Sequence, residues 1–163
     1  MLYKTTIKTP LGLMIAIAND TIIRLLQWHD SKKITAQLKS LSQSLIEQET
    51  DLLRTLKNQL DAYFSNTLKQ FTLPLSPIGT QFQQTTWNAL SKIPYRTSIS
   101  YKQLALELNA PSSFRAVARA NACNPIVIII PCHRVIASSG KIHGYVGGID
   151  RKEALLNLEG RSI

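Results

Sequence analysis

A chain of 163 residues, 44% hydrophobic and 18% charged, is long enough to bury a core and too ordinary in composition for a disordered or fibrous protein. Its formal net charge is +9, and residues 79–163 carry ten Lys or Arg against four Asp or Glu; such a face suits phosphate-bearing partners but also occurs in proteins that have none. Cys123 and Cys132, the two cysteines, exclude a secreted disulfide framework and offer no Cys-x-x-Cys zinc pair, which fits a reducing cytoplasm.

The first half reads as a small sheet with one or two helices. Residues 2–7 and 13–18 form strands around the turn Thr9-Pro10-Leu11-Gly12, and 21–28 form a third after Asn19-Asp20. Lys4 and Lys8 ahead of the apolar run 11–18 loosely resemble a signal peptide, but Pro10 and Gly12 interrupt the run and favour a buried strand. No run approaches the ~20 apolar residues of a membrane-spanning helix. Leu38, Leu41 and Leu45, then Leu52, Leu53, Leu56, Leu60 and Phe64, recur at helical spacing. His29 and Asp30 fall in a turn and read as a solvated loop. Pro74, Pro77 and Gly79 mark 71–79 as the linker, which divides the chain into residues 1–76 and 77–163.

The second half reads as mainly helical. Thr80 with Gln83 forms a capping box, and Phe82, Ala89, Leu90 and Ile93 give the following helix one apolar face, stopped by Pro94. Ser100 with Gln103 forms a second box for a helix over 101–108. Asn109-Ala110-Pro111 turns the chain, and Ser112 or Ser113 starts a helix to about residue 122. Two short helices with Arg115 and Arg119 on the second match a helix-turn-helix; an ordinary helical hairpin has the same pattern. The aliphatic run 126–130 predicts a buried strand or extended segment leading into Pro131-Cys132-His133-Arg134-Val135. After a turn at 138–140 and a loop at 143–148, Asp150 with Glu153 predicts the cap of a last helix ended by Gly160.

Cys132 is the residue with the clearest chemistry. A thiol of pKa about 8.5 becomes a nucleophile as the thiolate, and a neighbouring imidazole such as His133 can take its proton. A lone Cys-His dipeptide is equally a small buried hydrophobe beside a histidine. The larger pattern decides between them. Asn124-Pro125, five aliphatics, Pro131-Cys132-His133-Arg134-Val135, and Arg115-Ala116-Val117 upstream closely resemble the active site of the O6-alkylguanine-DNA alkyltransferases, also called methylated-DNA–protein-cysteine methyltransferases. The segment 99–105, the loop Gly144-Tyr145-Val146-Gly147-Gly148 and the run 151–160 resemble the same family. The match is good over 79–160 and loose over the first half.

The resemblance implies a ribonuclease H-like α/β subdomain followed by a winged-helix-like, mainly α DNA-binding subdomain. It implies that Cys132 accepts the alkyl group, that His133 deprotonates it through a bridging water, and that Glu159 orients and charges His133. Tyr101 then protonates the leaving guanine at N3, since a neutral leaving group departs more easily than an anion. Asn124 holds the turn between recognition helix and active site. Arg115 fills the gap left by a flipped nucleotide, with Ala116, Arg119, Ser100 and Tyr101 on the DNA-binding surface. Tyr145, Val146, Pro131 and Val135 line the alkylguanine pocket, the Val146 N–H facing O6. The expected protein is a monomer that acts once on double-stranded DNA carrying O6-alkylguanine, with O4-alkylthymine as a related substrate, and without cofactor or metal.

Three positions depart from the family pattern: Ala118 and Arg96 stand where Gly is usual, and Ala154 where Trp is frequent. Two rival functions fit parts of the same sequence. A Cys-His-Glu hydrolase would need an oxyanion hole and turnover; a helix-turn-helix regulator would bind DNA with Cys132 dispensable.

Overall fold

The computed structural model describes residues 1–142 and 144–160 and divides the chain into two compact units, Met1–Ile78 and Gly79–Ile163. In the first, β1 (Leu2–Thr9) and β2 (Gly12–Ala18) form an antiparallel hairpin with Thr9 opposite Gly12. The Thr9 hydroxyl donates to the Gly12 carbonyl at 2.7 Å, and Gly12 takes φ 127, which a side chain rarely tolerates. β3 (Ile23–Trp28) pairs with β2, and β4 (Leu45–Glu47) lies parallel to β1, giving the order β3-β2-β1-β4. β3 begins at Ile23 rather than residue 21 because the Asn19 side chain accepts from the Thr21 and Ile22 amides and holds them in the turn.

The sheet has apolar cover. α2 (Asp51–Phe64), capped by the Thr50 hydroxyl, buries Leu53, Leu56, Leu60 and Tyr63 and packs on β1 and β2. Ile17 and Leu25 join Leu2 and Leu41 in a core cluster that Ile34 and Leu38 of α1 (Ile34–Ser40) and Leu45 extend. Leu38, Leu41 and Leu45 do not share one helix, contrary to their spacing. α1 ends at Ser40, Ser42 turns the chain at φ 52, and Leu45 opens an edge strand opposite Leu2. The apolar spacing was real, but a strand delivers Leu45 to the same cluster. Within 71–79, the Pro74 carbonyl and Ser76 amide bond to Ile23, so part of this stretch is pinned along β3.

In the second unit, α3 (Gln81–Leu90) starts at a complete capping box, Thr80 with Gln83. Its buried face is Thr86, Trp87 and Leu90, while Phe82 is exposed, against expectation. The Trp87 indole donates to the Ala120 carbonyl at 2.9 Å, and a Cβ on Gly79 would lie 2.3 Å from the Trp87 ring. α4 (Tyr101–Glu107) is capped by the Ser100 hydroxyl on the Gln103 amide; the reciprocal bond is replaced by Gln103 donating to Glu107. α5 (Phe114–Ala122) has Ser113 at its N-cap position, with no side-chain capping bond. β5 (Ile99–Ser100) pairs with β6 (Val135–Ile136), and α6 (Ile149–Leu158) closes the unit. α6 is entered through Gly148 at φ 95, without a side-chain cap, so the expected Asp150–Glu153 cap is not formed; Asp150 instead sits in the first turn, where a carboxylate favours the helix dipole. Gly160 ends it at φ 87. No helix among the described residues is long and apolar enough to cross a membrane.

Candidate active site

The run 126–130 is buried except for half-buried Ile129, but it is a compact loop rather than a strand. The Ile129 amide bonds Val127 and the Ile130 amide bonds Ile126, which puts Ile128 at φ 73. A β-branched residue in that region is strained. The Asn124 side chain, itself buried, holds the loop. Its Nδ2 donates to the Ile130 carbonyl at 2.7 Å and its Oδ1 accepts from the Ile126 amide at 3.0 Å. The Cys132 amide donates to the same Ile130 carbonyl at 2.8 Å. Asn124 therefore sets the position of Cys132 through one shared oxygen.

Cys132, His133 and Arg134 form one turn of 3-10 helix, all buried. Three residues per turn aim successive side chains about 120° apart. His133 Nε2 lies 2.8 Å from Glu159 Oε2, with both groups nearly inaccessible to solvent. Arg134 grips the same carboxylate with two bonds, Nε to Oε1 at 2.9 Å and Nη2 to Oε2 at 3.0 Å, and donates Nη1 to the Ile93 carbonyl at 2.7 Å. Burial pushes the Glu159 carboxyl up, but the bonds from His133 and Arg134 outweigh it and hold it down at about 2. Burial lowers the His133 pKa against the pull of Glu159, so the resting imidazole is neutral. With an ionised Glu159 on Nε2, the ring proton belongs there, and Nδ1 carries the free lone pair; it has no hydrogen-bond partner among the described residues.

Burial likewise pushes the Cys132 thiol up to about 11, with the Asn124 amide and the Lys152 ammonium pulling the other way. The resting thiol is protonated and needs a base, which is what a neutral imidazole backed by a carboxylate provides. Tyr101 is buried at the head of α4; burial and the nearby thiol raise its pKa to about 12, while a bond with Asn121 lowers it.

Sequence reasoning missed three groups. Lys152 is fully buried and donates to Val135 O at 2.6 Å, Gly144 O at 3.1 Å and Tyr101 Oη at 3.4 Å. Burial lowers its pKa to about 8. Asn121 donates to the Cys132 carbonyl at 3.4 Å. Arg134 stood only as a letter of the motif, its clamp on Glu159 unread. Nothing in the sequence marks a helical Lys as buried. Asn121 does fall one helical turn from Val117, on the buried face of α5.

The other expected residues fall into two sets. Pro131 and Val135 are buried on either side of the 3-10 turn, and the 144–148 loop carrying half-buried Tyr145 and Val146 is tied in through the Gly144 carbonyl on Lys152. Arg115 and Arg119 are exposed on α5, Ala116 is half-buried between them, and Ser100 is committed to capping α4. Arg96 takes φ 68, where glycine is at ease, and its guanidinium lies 3.1 Å from where a Cβ on Gly160 would be. Ala118 and Ala154 are half-buried.

Residues 2–77 match the ribonuclease-like domain of 6-O-methylguanine DNA methyltransferase, and residues 81–161 match its DNA binding domain. The chain is 41% identical to a methylated-DNA–protein-cysteine methyltransferase of Methanosarcina barkeri over 99% of both chains. It is 38% identical to that of Mycobacterium leprae, over 100% of this chain and 95% of the other. Its structure is similar to that of Mycobacterium tuberculosis OGT in complex with DNA, at TM-score 0.87 and 39% identity over 96% of this chain and 92% of the other.

Proposed function

The chain belongs to the 6-O-methylguanine DNA methyltransferase family, and from that premise we propose that it repairs DNA by moving the alkyl group of O6-alkylguanine onto its own Cys132. The observation that carries the assignment of roles is the buried His133–Glu159 pair at 2.8 Å, placed directly after a protonated, buried thiol. His133 Nδ1 takes the thiol proton through a bridging water, and Glu159 stabilises the imidazolium that results. The thiolate attacks the alkyl carbon, the S–C bond forms, and the C–O6 bond breaks with its electron pair passing to the guanine. Tyr101 gives its proton to guanine N3, and the Lys152 ammonium beside the phenol oxygen stabilises the phenolate. The thioether is stable, so each molecule acts once.

A damaged base inside a stacked duplex is out of reach of a buried thiol, so the nucleotide must be extruded at a cost of a few kcal/mol. The exposed guanidiniums of Arg115 and Arg119 on α5 suit that step: Arg119 as a phosphate anchor and Arg115 as the group that enters the vacated space. Tyr145, Val146, Pro131 and Val135 enclose the alkylguanine. A nucleophilic thiol is best kept in a reducing compartment, and neither Cys123 nor Cys132 is in a disulfide, which supports the cytoplasm as its location.

The test is mass spectrometry of the folded, reduced protein after mixing with an O6-methylguanine duplex. The expected result is a gain of one methyl on the Cys132 peptide, matched by restored guanine, with no further turnover. Cys132→Ala should abolish transfer and keep DNA binding. An unmodified Cys132 alongside intact DNA binding would replace repair with a purely DNA-binding role.

A further inference from the structure

Phe114 opens α5 and is 45% exposed, and the chemistry above gives it no task. Side chains three, four and seven residues onward share its face of the helix. Those are Val117, buried; Ala118, half-buried; and Asn121, buried and bonded to the Cys132 carbonyl at 3.4 Å. The stripe thus runs from the backbone of the acceptor outward to Phe114, about 10 Å along the axis at 1.5 Å per residue. The ring meets Tyr101 edge-on, with centroids 5.9 Å apart at 67°. Val117 and Tyr101 already close the core beneath it, so the ring stands at the rim of the site rather than inside it. The next residue, Arg115, projects about 100° further round the helix, and Arg119 follows one turn on.

An exposed aromatic between the buried Tyr101 and the exposed guanidinium of Arg115 is placed where a duplex must open to deliver its base. Apolar side chains inserted at a base step hold nucleic acid unstacked, and an aromatic face stacks on any base regardless of sequence. We propose that Phe114 is an apolar wedge for duplex DNA. Its ring stacks on the base pair beside the extruded nucleotide while Arg115 occupies the vacated position, and together they slow reclosure. Arg115 and Arg119 supply the charge that brings phosphate to this face; Phe114 supplies the unpaired apolar area. This inference rests on the repair function proposed above.

The experiment compares single-turnover methyl transfer from O6-methylguanine in a matched duplex and in a single strand of the same sequence, for the unaltered protein, Phe114→Ala and Phe114→Trp. A wedge matters only when a duplex must be kept open. Phe114→Ala should lose about tenfold on the duplex and less than about twofold on the single strand, whereas Phe114→Trp keeps the duplex rate. Equal losses on both substrates would make the ring a mere support for Tyr101 and overturn the proposal. So would an unchanged duplex rate in Phe114→Ala, or equal losses for Ala and Trp. An unaltered protein inert on both substrates would instead sink the repair function, and the wedge with it.

Discussion

In Met1–Ile78 the interior is built of Leu, Ile, Met, Trp and Tyr, and its buried polar side chains are Gln27 and Ser31; in Gly79–Ile163 the described interior includes Asn121, Asn124, His133, Arg134, Lys152 and Glu159. The first kind of interior gains stability with every side chain it closes over. The second removes ions from water at several kcal/mol each and recovers that only through close bonds such as the Arg134–Glu159 clamp. A charged interior kept against that cost marks where chemistry sits, independently of any motif. The contrast also separates two ways of losing function: loosening an aliphatic core, and unpairing a buried ion.

The sharpest way to break the contrast is Glu159→Gln, which removes the charge but keeps the shape. Transfer should slow about 100-fold or more with the loss of the base's partner, and unfolding should cost about 3–5 kcal/mol less because the buried Arg134 is left without a counter-charge. Single-turnover kinetics and urea unfolding read the two effects; a variant with wild-type values in both would disconnect the polar interior from the chemistry. Leu56→Ala tests the other unit. It should cost about 2–5 kcal/mol of stability, since Leu56 is fully buried, yet leave the transfer rate of the folded protein within about twofold. A rate loss as deep as that of Glu159→Gln would draw the first unit into the reaction.

Acid should act on the charged interior in a defined window. Glu159 is held at about 2 against about 4.3 in an unfolded chain. A depressed carboxyl stabilises the fold fully above the unfolded value and loses that stabilisation as the pH falls toward 2, about 3 kcal/mol in all. His133, lowered by burial, acts in the same direction from a higher start: its stabilisation is complete above about pH 6.5 and shrinks on acidification below it. Unfolding free energy measured from pH 7 downward should fall in both windows for the wild type, and Glu159→Gln should lack the lower one. An unchanged lower limb in that variant would move the acid sensitivity elsewhere. The smallest expected effect is at the surface. Arg119→Ala should reduce the slope of log affinity for DNA against log salt by about 1 and leave transfer at saturating DNA untouched. A slope identical to wild type would mean that Arg119 touches no phosphate.

The separate residues of the site were more legible in the sequence than their arrangement. Cys132, His133 and Glu159 could be named because a specific motif with fixed spacing carries them, and the Thr80–Gln83 box and the Gly160 stop are local signals that the structure reproduces. The loop 126–130 was misread because an aliphatic run has the same letters whether it is a strand or a turn; what bends it is the Asn124 side chain reaching Ile126 and Ile130. Leu45 was misread because burial in one cluster does not reveal which backbone delivers the side chain. Lys152 was invisible for a different reason: its bonds include those to Val135, Gly144 and Tyr101, groups 8 to 51 residues away that only the folded chain gathers.

Glu159 reaches His133 from the far end of α6, 26 residues along the chain. On a ribosome Cys132 and His133 therefore emerge before the carboxylate that pairs with the imidazole. Until α6 has docked, His133 has no carboxylate on its Nε2, and the Cys132 thiol has no base backed by a buried charge. In the function proposed above the acceptor is spent once, so this order of synthesis would act as a safety catch: the base that activates Cys132 is completed only when the last helix of the described chain is in place.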